Sequence, residues 1–418
     1  MADVRPLQAL HYDPARVESI AAVTAPPYDV IDEAQRAELL ARSPFNVVEI
    51  DLPRAEDGSD PYAHAAETLD AWRREGVLEQ DDEPSLWALS QDYAGPDGTR
   101  RTRHGILARV RVENYGPGRV RPHERTQPGP KQDRLDLTRA TRFNLSPIFS
   151  LSSRDPWPLV EPALGGEPWA EVTDDDGTVH RVWRVTDPEV HAAVAQELEP
   201  AELLIADGHH RYETARAYRD EVGGERPQEY TLMALTGLED PGLTVFPTHR
   251  LLSGLADDPD RQQLLGAGLR ERFEVEEVGE EGLDPAGEEG PGVFGYMDSH
   301  HRRAFRLRLR DTAELDRLLE GRSESYRRLD AVILEALVLN GILGMSEEDI
   351  AAKRGIGYAK SVPDALASLG AGYDVAFILR PTPVEQVRAV AGEGETMPPK
   401  STYFFPKLLS GLVFNPVG

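Results

Sequence analysis

Short apolar runs alternate along this chain with stretches whose apolar residues recur at helical spacing, which predicts strands and helices in mixed order. Val47–Ile50, Leu86–Tyr93, Arg103–Val112, Ser146–Leu151, Trp169–Thr173, Val179–Val185, Tyr230–Thr236 and Leu243–Phe246 read as strands. His249 and Arg250 follow the last of these, at a strand end where ligands often meet a sheet. Later strands are expected at 273–278, 293–297, 303–309 and 374–379. Helical periodicity covers 60–75, where Tyr62, Ala65, Ala66, Leu69 and Trp72 form one apolar face. It returns at 187–197, 259–272, 312–320, 329–339 and 383–391, and Asp32 suits the N-cap of a helix running through Leu40. The expected fold is α+β or mixed α/β, in three regions: 1–200, 201–325 and 326–418.

One change of pattern stands out. Leu203-Leu-Ile-Ala206 reads as a buried strand, Asp207-Gly208 breaks it, and Tyr212, Ala215, Tyr218 and Val222 then recur at helical spacing. The break gathers Asp207, Gly208, His209, His210 and Arg211. A strand-to-helix turn leaves backbone N–H groups unpaired at the positive end of a helix dipole, which suits an anion. Gly208 permits close approach, and Arg211 offers a bidentate fork for phosphate. The alternative is a polar helix cap carrying two partly buried histidines. A metal site of His209, His210 and Glu213 is a further alternative, although adjacent histidines diverge and no His-Glu-x-x-His pattern is present.

Composition narrows the classes. The 418 residues hold no cysteine, which excludes disulfides, thiolate metal sites and cysteine nucleophiles and fits a cytoplasmic protein. No apolar run has the length of a membrane span, and the N-terminus lacks a signal-peptide pattern. A formal net charge of −27 opposes nucleic acid as a partner. Lysine is scarce, and Lys131, Lys400 and Lys407 all fall in motif-like loops.

Three other stretches carry candidate chemistry. Val23–Ile31 holds Pro26 and Pro27, which stiffen a loop presenting Tyr28 and Asp29, either to a site or to tie the loop down. Residues 120–134 read as a stiff polar loop with Glu124 as a base and Lys131 and Arg134 facing an anion, or as a solvated linker. In residues 394–407, Pro-Pro-Lys400-Ser401-Thr402 combines rigidity, a cation and two hydroxyls suited to phosphate, and the segment looks built to dock onto the body.

Together, Ala25-Pro-Pro-Tyr-Asp-Val30, Pro122-His-Glu-Arg-Thr126, Ile205-Ala-Asp-Gly-His-His-Arg211 and Met397-Pro-Pro-Lys-Ser-Thr402 resemble the family numbered 1015 among domains of unknown function. The resemblance spans essentially the whole chain, with the motifs in order. The Asp-Gly-His-His-Arg motif looks like that of the ParB/sulfiredoxin-like free-serine kinases, and this implies a ParB/sulfiredoxin-like core with added α+β elements. It further implies a phosphotransferase using ATP or ADP, or CTP, with magnesium and a small hydroxylated substrate such as L-serine. On this resemblance Glu124, Asp207 and His209 are catalytic, with Asp207 also holding magnesium. Thr126, Lys131, Arg134, Gly208, His210, Arg211, Lys400, Ser401 and Thr402 would bind the nucleotide. Glu124 lies further upstream of the motif than the kinase glutamate does, and the absent cysteine excludes sulfiredoxin activity. The alternative from another class is a nucleotide-responsive switch without turnover. Neither reading fixes the oligomeric state.

Overall fold

The computed structural model describes residues 2–54, 58–117, 119–124, 126, 128–224 and 227–418. It is a mixed α+β protein that divides into two compact units. The first comprises Met1–Pro122, Thr126–Thr244 and Pro406–Gly418; the second comprises His123–Arg125 and Val245–Phe405.

The first unit is built on a nine-stranded mixed sheet. Its strands are β1 (Val4–Arg5), β2 (Leu86–Ala94), β3 (Arg100–Arg111), β4 (Val120–Arg121), β5 (Ile148–Ser152), β6 (Ala170–Thr173), β7 (Val179–Val185), β8 (Leu203–Asp207) and β9 (Tyr230–Gly237). The order is β4-β8-β5-β9-β3-β2-β7-β6, with β1 also paired to β3. The pairs β8–β4 and β9–β5 are parallel; the others are antiparallel. Ile106, Ile148, Ile205, Tyr212 and Leu235 belong to one buried cluster. Each such side chain contributes about 1.5–3 kcal/mol by leaving water. Helices α1 (Pro61–Arg74), α2 (Pro128–Thr141), α3 (Pro188–Leu198) and α4 (His209–Val222) belong to this unit, and α2 packs on both α1 and α4.

The second unit holds a six-stranded, wholly antiparallel sheet of β10 (His249–Leu252), β11 (Phe273–Val278), β12 (Val293–Asp298), β13 (Ala304–Leu309), β14 (Ile356–Ala359) and β15 (Val375–Ile378). Its order is β11-β13-β12-β15-β10-β14. Helix α5 (Pro259–Arg272) contributes Leu265 and Leu269 to the core, beside Phe273, Phe294, Leu307 and Phe377. Among the described residues, no helix is long and apolar enough to cross a membrane.

Most predicted elements are present, and Asp32 accepts a hydrogen bond from the Gln35 amide as an N-cap should. Four expectations change. Val47–Ile50 is not a strand: Asn46 Oδ1 accepts from the Val48 amide at 3.0 Å and starts a helical turn at Val48–Asp51. Residues 128–134 are not loop but the start of α2, since Pro128 and Pro130 fall in its first turn, where a missing N–H costs nothing. His249 and Arg250 lie within β10, paired with Ala359 and Tyr358, not beyond a strand end. Val222 is exposed because α4 ends there, at Gly223. The unit boundaries also differ from 200/201 and 325/326. β8 hydrogen-bonds inside the first sheet, and β10 pairs with strands beyond residue 350.

Candidate functional site

In the first unit, β8 ends at Asp207, Gly208 turns the chain, and α4 begins at His209. Gly208 has φ +91°, a conformation in which a Cβ is strained. A Cβ there would also lie 3.0 Å from the Arg211 guanidinium. Glycine therefore lets Arg211 fold back over the turn. Its Nη2 donates to Asp207 Oδ2 at 3.0 Å and its Nη1 donates to the Pro147 carbonyl.

The other oxygen of Asp207 is also taken. Lys407 Nζ donates to Oδ1 at 3.1 Å. Burial pushes the Asp207 carboxyl upward, but the charges of Lys407 and Arg211 outweigh this and hold it well below the usual carboxylate range. Behind this pair lies Arg103, 1% exposed. Its Nε and Nη2 donate to Gln91 Oε1 at 3.0 and 2.5 Å, and Nη2 also reaches the Pro406 carbonyl at 2.6 Å. The guanidinium lies over the Phe149 ring at 4.3 Å, and its buried Nη1 has no hydrogen-bond partner among the described residues. No described carboxylate forms an ion pair with it. Burial lowers its pKa to about 10, with Tyr93, Asp240 and Asp207 offsetting only part of that loss.

Gln91 organises this arrangement. While its Oε1 accepts from Arg103, its Nε2 donates to the Lys407 carbonyl at 3.0 Å and to His180 Nδ1 at 3.1 Å. The opposite ring nitrogen of His180 donates to Asp174 Oδ2 at 2.8 Å. Asp174, His180 and Gln91 thus fix in sequence the side chain of Arg103 and the backbone of Lys407. Asp207 thus pairs with two cations, Arg211 and Lys407, at the positive end of α4, and Arg103 is near enough to feel its charge. That balance suits an anion.

The Ala-Pro-Pro-Tyr-Asp loop belongs to the same neighbourhood. Arg134 lies over the Tyr28 ring at 4.1 Å. Burial pushes the Tyr28 hydroxyl up to about 12, against the pull of Arg211 and Arg134. Arg134 itself is committed: its Nη1 meets Asp51 Oδ1 at 3.2 Å and its Nη2 meets Asp133 at 2.7 Å. Lys131 Nζ lies 3.6 Å from Glu213, which Arg216 also holds at 2.9 Å. Lys131 and Arg134 thus tie α2 to Glu213 of α4 and to Asp51. A cavity of about 40 Å³ is lined in part by Arg134, Arg211, Asp51 and Ser146. Thr126 belongs to this unit; Arg125 and Gln127 lie outside the described residues.

The expectation that Asp207 holds a metal does not fit this geometry. Both its oxygens face cations, so it acts as their counter-ion. Glu213 is likewise held by cations, and no group of three His, Asp or Glu among the described residues is arranged for a metal. His209 is buried at the first position of α4 and His210 is half-buried beside it.

The remaining candidates lie in the second unit. Glu124 bridges Met397 in parallel, and His123 Nε2 lies 2.9 Å from Thr402 Oγ1. Ser401 Oγ donates to the Pro398 carbonyl at 2.7 Å, while Lys400 is exposed with φ +58°. Arg250 is buried, lies over the Tyr358 ring at 5.0 Å and feels the charges of Glu335 and Glu124. No motif in the sequence marks Arg103, Gln91 or His180 as part of a site, and none gives Lys407 a partner. The scarcity of lysine signalled Lys407. A strand arginine sharing the alternation of Gly105 and Leu107 was the available sign of Arg103.

Residues 4–332 match the family described as "Protein of unknown function (DUF1015)". No curated protein matches the chain. Among solved structures, a mutant free serine kinase in complex with ADP is similar at 15% identity and TM-score 0.38, over 71% of this chain and 88% of that one. C-terminally truncated SbnI from Staphylococcus aureus aligns at 14% identity and TM-score 0.38, over 73% and 86%. A conserved hypothetical protein from Pyrococcus furiosus aligns at 19% identity and TM-score 0.33, over 68% and 86%. At these scores the likeness is distant.

Proposed function

The chain belongs to the DUF1015 family of proteins of unknown function, and we propose that it is a small-molecule phosphotransferase: a nucleotide-dependent kinase of free serine or a similar hydroxylated metabolite. The observation that carries the reading is the surplus of positive charge around Asp207. A buried guanidinium without a carboxylate partner is costly unless an anion completes it. Arg103, Arg211 and Lys407, with the first amides of α4, are the donors that phosphate groups of ATP or ADP require. The proposed core is ParB/sulfiredoxin-like and the proposed setting cytoplasmic.

Phosphoryl transfer needs mainly positioning and charge neutralisation. In the proposed reaction the substrate hydroxyl oxygen attacks the terminal phosphorus and the bond from phosphorus to the nucleotide oxygen breaks. The hydroxyl proton passes to Glu124, and the nucleotide leaves with the charge that the cations hold. Lys400, Ser401 and Thr402 are the proposed contacts of the second unit, and His209 and His210 those of the turn. Magnesium would enter with the nucleotide phosphates and neutralise part of their charge, while Asp207 serves as counter-ion to Arg211 and Lys407.

The test is incubation with ADP or ATP, magnesium and L-serine, followed by phosphorus NMR. The reading requires a new phosphomonoester signal, lost in Glu124→Gln while nucleotide affinity stays. The second reading is a nucleotide-responsive switch without turnover. Nucleotide binding with no transfer to any hydroxylated acceptor would select it.

A further inference from the structure

The second unit contains a cavity of about 860 Å³ that the phosphotransferase reading does not use. Its volume falls in the range of small-molecule sites, roughly 300–1,000 Å³. The sheet register explains its floor. Val275 pairs with Leu307 across β11 and β13, and Phe305 pairs with Tyr296 across β13 and β12, so these residues share one face. Helix α5 covers the Phe273 end of that face through Leu265 and Leu269. Beyond it, Val275 is 37% exposed, and Tyr296 and Phe305, with ring centroids 6.2 Å apart, are half-buried. The floor is an aromatic shelf beside a helix.

The rim supplies a charge preference. Its carboxylates are occupied: Asp298 accepts from the His301 amide at 2.6 Å, and Asp374 accepts from the amides of Leu255 and Ala256 at 2.8 and 3.1 Å. Among the described residues, Arg270 donates to the Gly266 carbonyl of its own helix at 3.0 Å and pairs with no carboxylate. Burial and then the Asp298 charge push the Tyr296 hydroxyl well above its ordinary range, and the Arg270 charge, which also reaches it, offsets part of that rise. A guanidinium and a phenol therefore stand at the edge of an apolar shelf. The second guanidinium of the lining, Arg303, lies 5.7 Å over the Phe305 ring and is paired with Glu277. That leaves Arg270 to meet one carboxylate in a fork; a phosphate dianion would need more cations and would feel twice the repulsion from Asp298.

We propose that this cavity binds a small monocarboxylate with an aromatic body, its ring on Tyr296, Phe305 and Val275 and its carboxylate on Arg270. The site is independent of the cluster around Asp207. Naphthylacetate is a suitable probe, titrated into the full chain and followed by its own fluorescence. Saturable binding is expected, weakened about tenfold or more in Arg270→Glu, since a charged hydrogen bond is lost. The neutral naphthylacetamide should bind more weakly by a similar factor, and Val275→Glu should weaken both. Arg270 is exposed, so Arg270→Glu should keep its fold and its ADP affinity. Absence of saturable binding would overturn the proposal, as would equal affinities for acid and amide with Arg270→Glu unchanged. Concentration-dependent self-association abolished by Val275→Glu would also overturn it, by making a second copy the occupant.

Discussion

Lys407 and Asp207 stand 200 positions apart in the chain, and their side chains meet at 3.1 Å. The pairing leaves Asp207 bound on both oxygens by cations and sets the sign of the site. A carboxylate so held has no oxygen turned to a metal, and its proposed role is that of counter-ion in an anion cradle. Asp207→Asn should therefore bind pyrophosphate at least as tightly as the native chain, because a negative charge beside the anion is gone. Calorimetry without magnesium measures this. A clear loss of affinity would return Asp207 to a direct role.

Gly208→Ala should cost about 1–2 kcal/mol, the penalty of a left-handed residue with a Cβ. The new Cβ would also press on the Arg211 guanidinium, so anion affinity should fall with stability. Urea unfolding paired with pyrophosphate titration separates the two. Unchanged values of both would mean that the turn does not need glycine.

Gln91→Leu removes the acceptor of Arg103 and the donor to the Lys407 carbonyl, leaving a buried guanidinium poorly satisfied. A loss of about 2–4 kcal/mol is expected. Saturating pyrophosphate should restore part of it by binding the native state. Chemical denaturation with and without the anion tests this, and a variant as stable as the native chain would contradict it.

His249 gives a pH signature in the second unit. Its Nδ1 accepts from the Leu379 amide at 3.2 Å, and its buried Nε2 has no hydrogen-bond partner among the described residues. Burial, then Arg250, lowers its pKa from the ordinary 6.5 to about 4. Between those values the unfolded chain binds a proton here and the folded chain does not. This contribution is therefore full above pH 6.5 and falls as the pH drops toward 4, by about 3 kcal/mol at most. His249→Gln should flatten that slope in denaturation measured across pH 4–7. An unchanged slope would mean that His249 does not set it.

What the sequence made legible was local. The change of period at Asp207-Gly208 and the capping aspartate at position 32 depend on neighbours a few residues away. Residues 128–141 were obscured because proline marks both loops and first helical turns, and only the following turns of α2 decide between them. Val47-Val48 carried strand propensity that a single Asn46 hydrogen bond overrode. Arg103, Gln91 and His180 were hidden for another reason: their significance lies in cross-strand register, which pairs Gln91 with Arg103 and with His180 on neighbouring strands. The lysine that completes the cluster comes from near the C-terminus, and no spacing rule links it to residue 207.

The most direct test of the account is ADP titration of the native chain and of Lys407→Met, by calorimetry at low and high salt. The account predicts binding that weakens with salt, and a loss of about tenfold or more in Lys407→Met from the missing charged hydrogen bond. Failure of the native chain to bind ADP, or equal affinity in the two proteins, would contradict it.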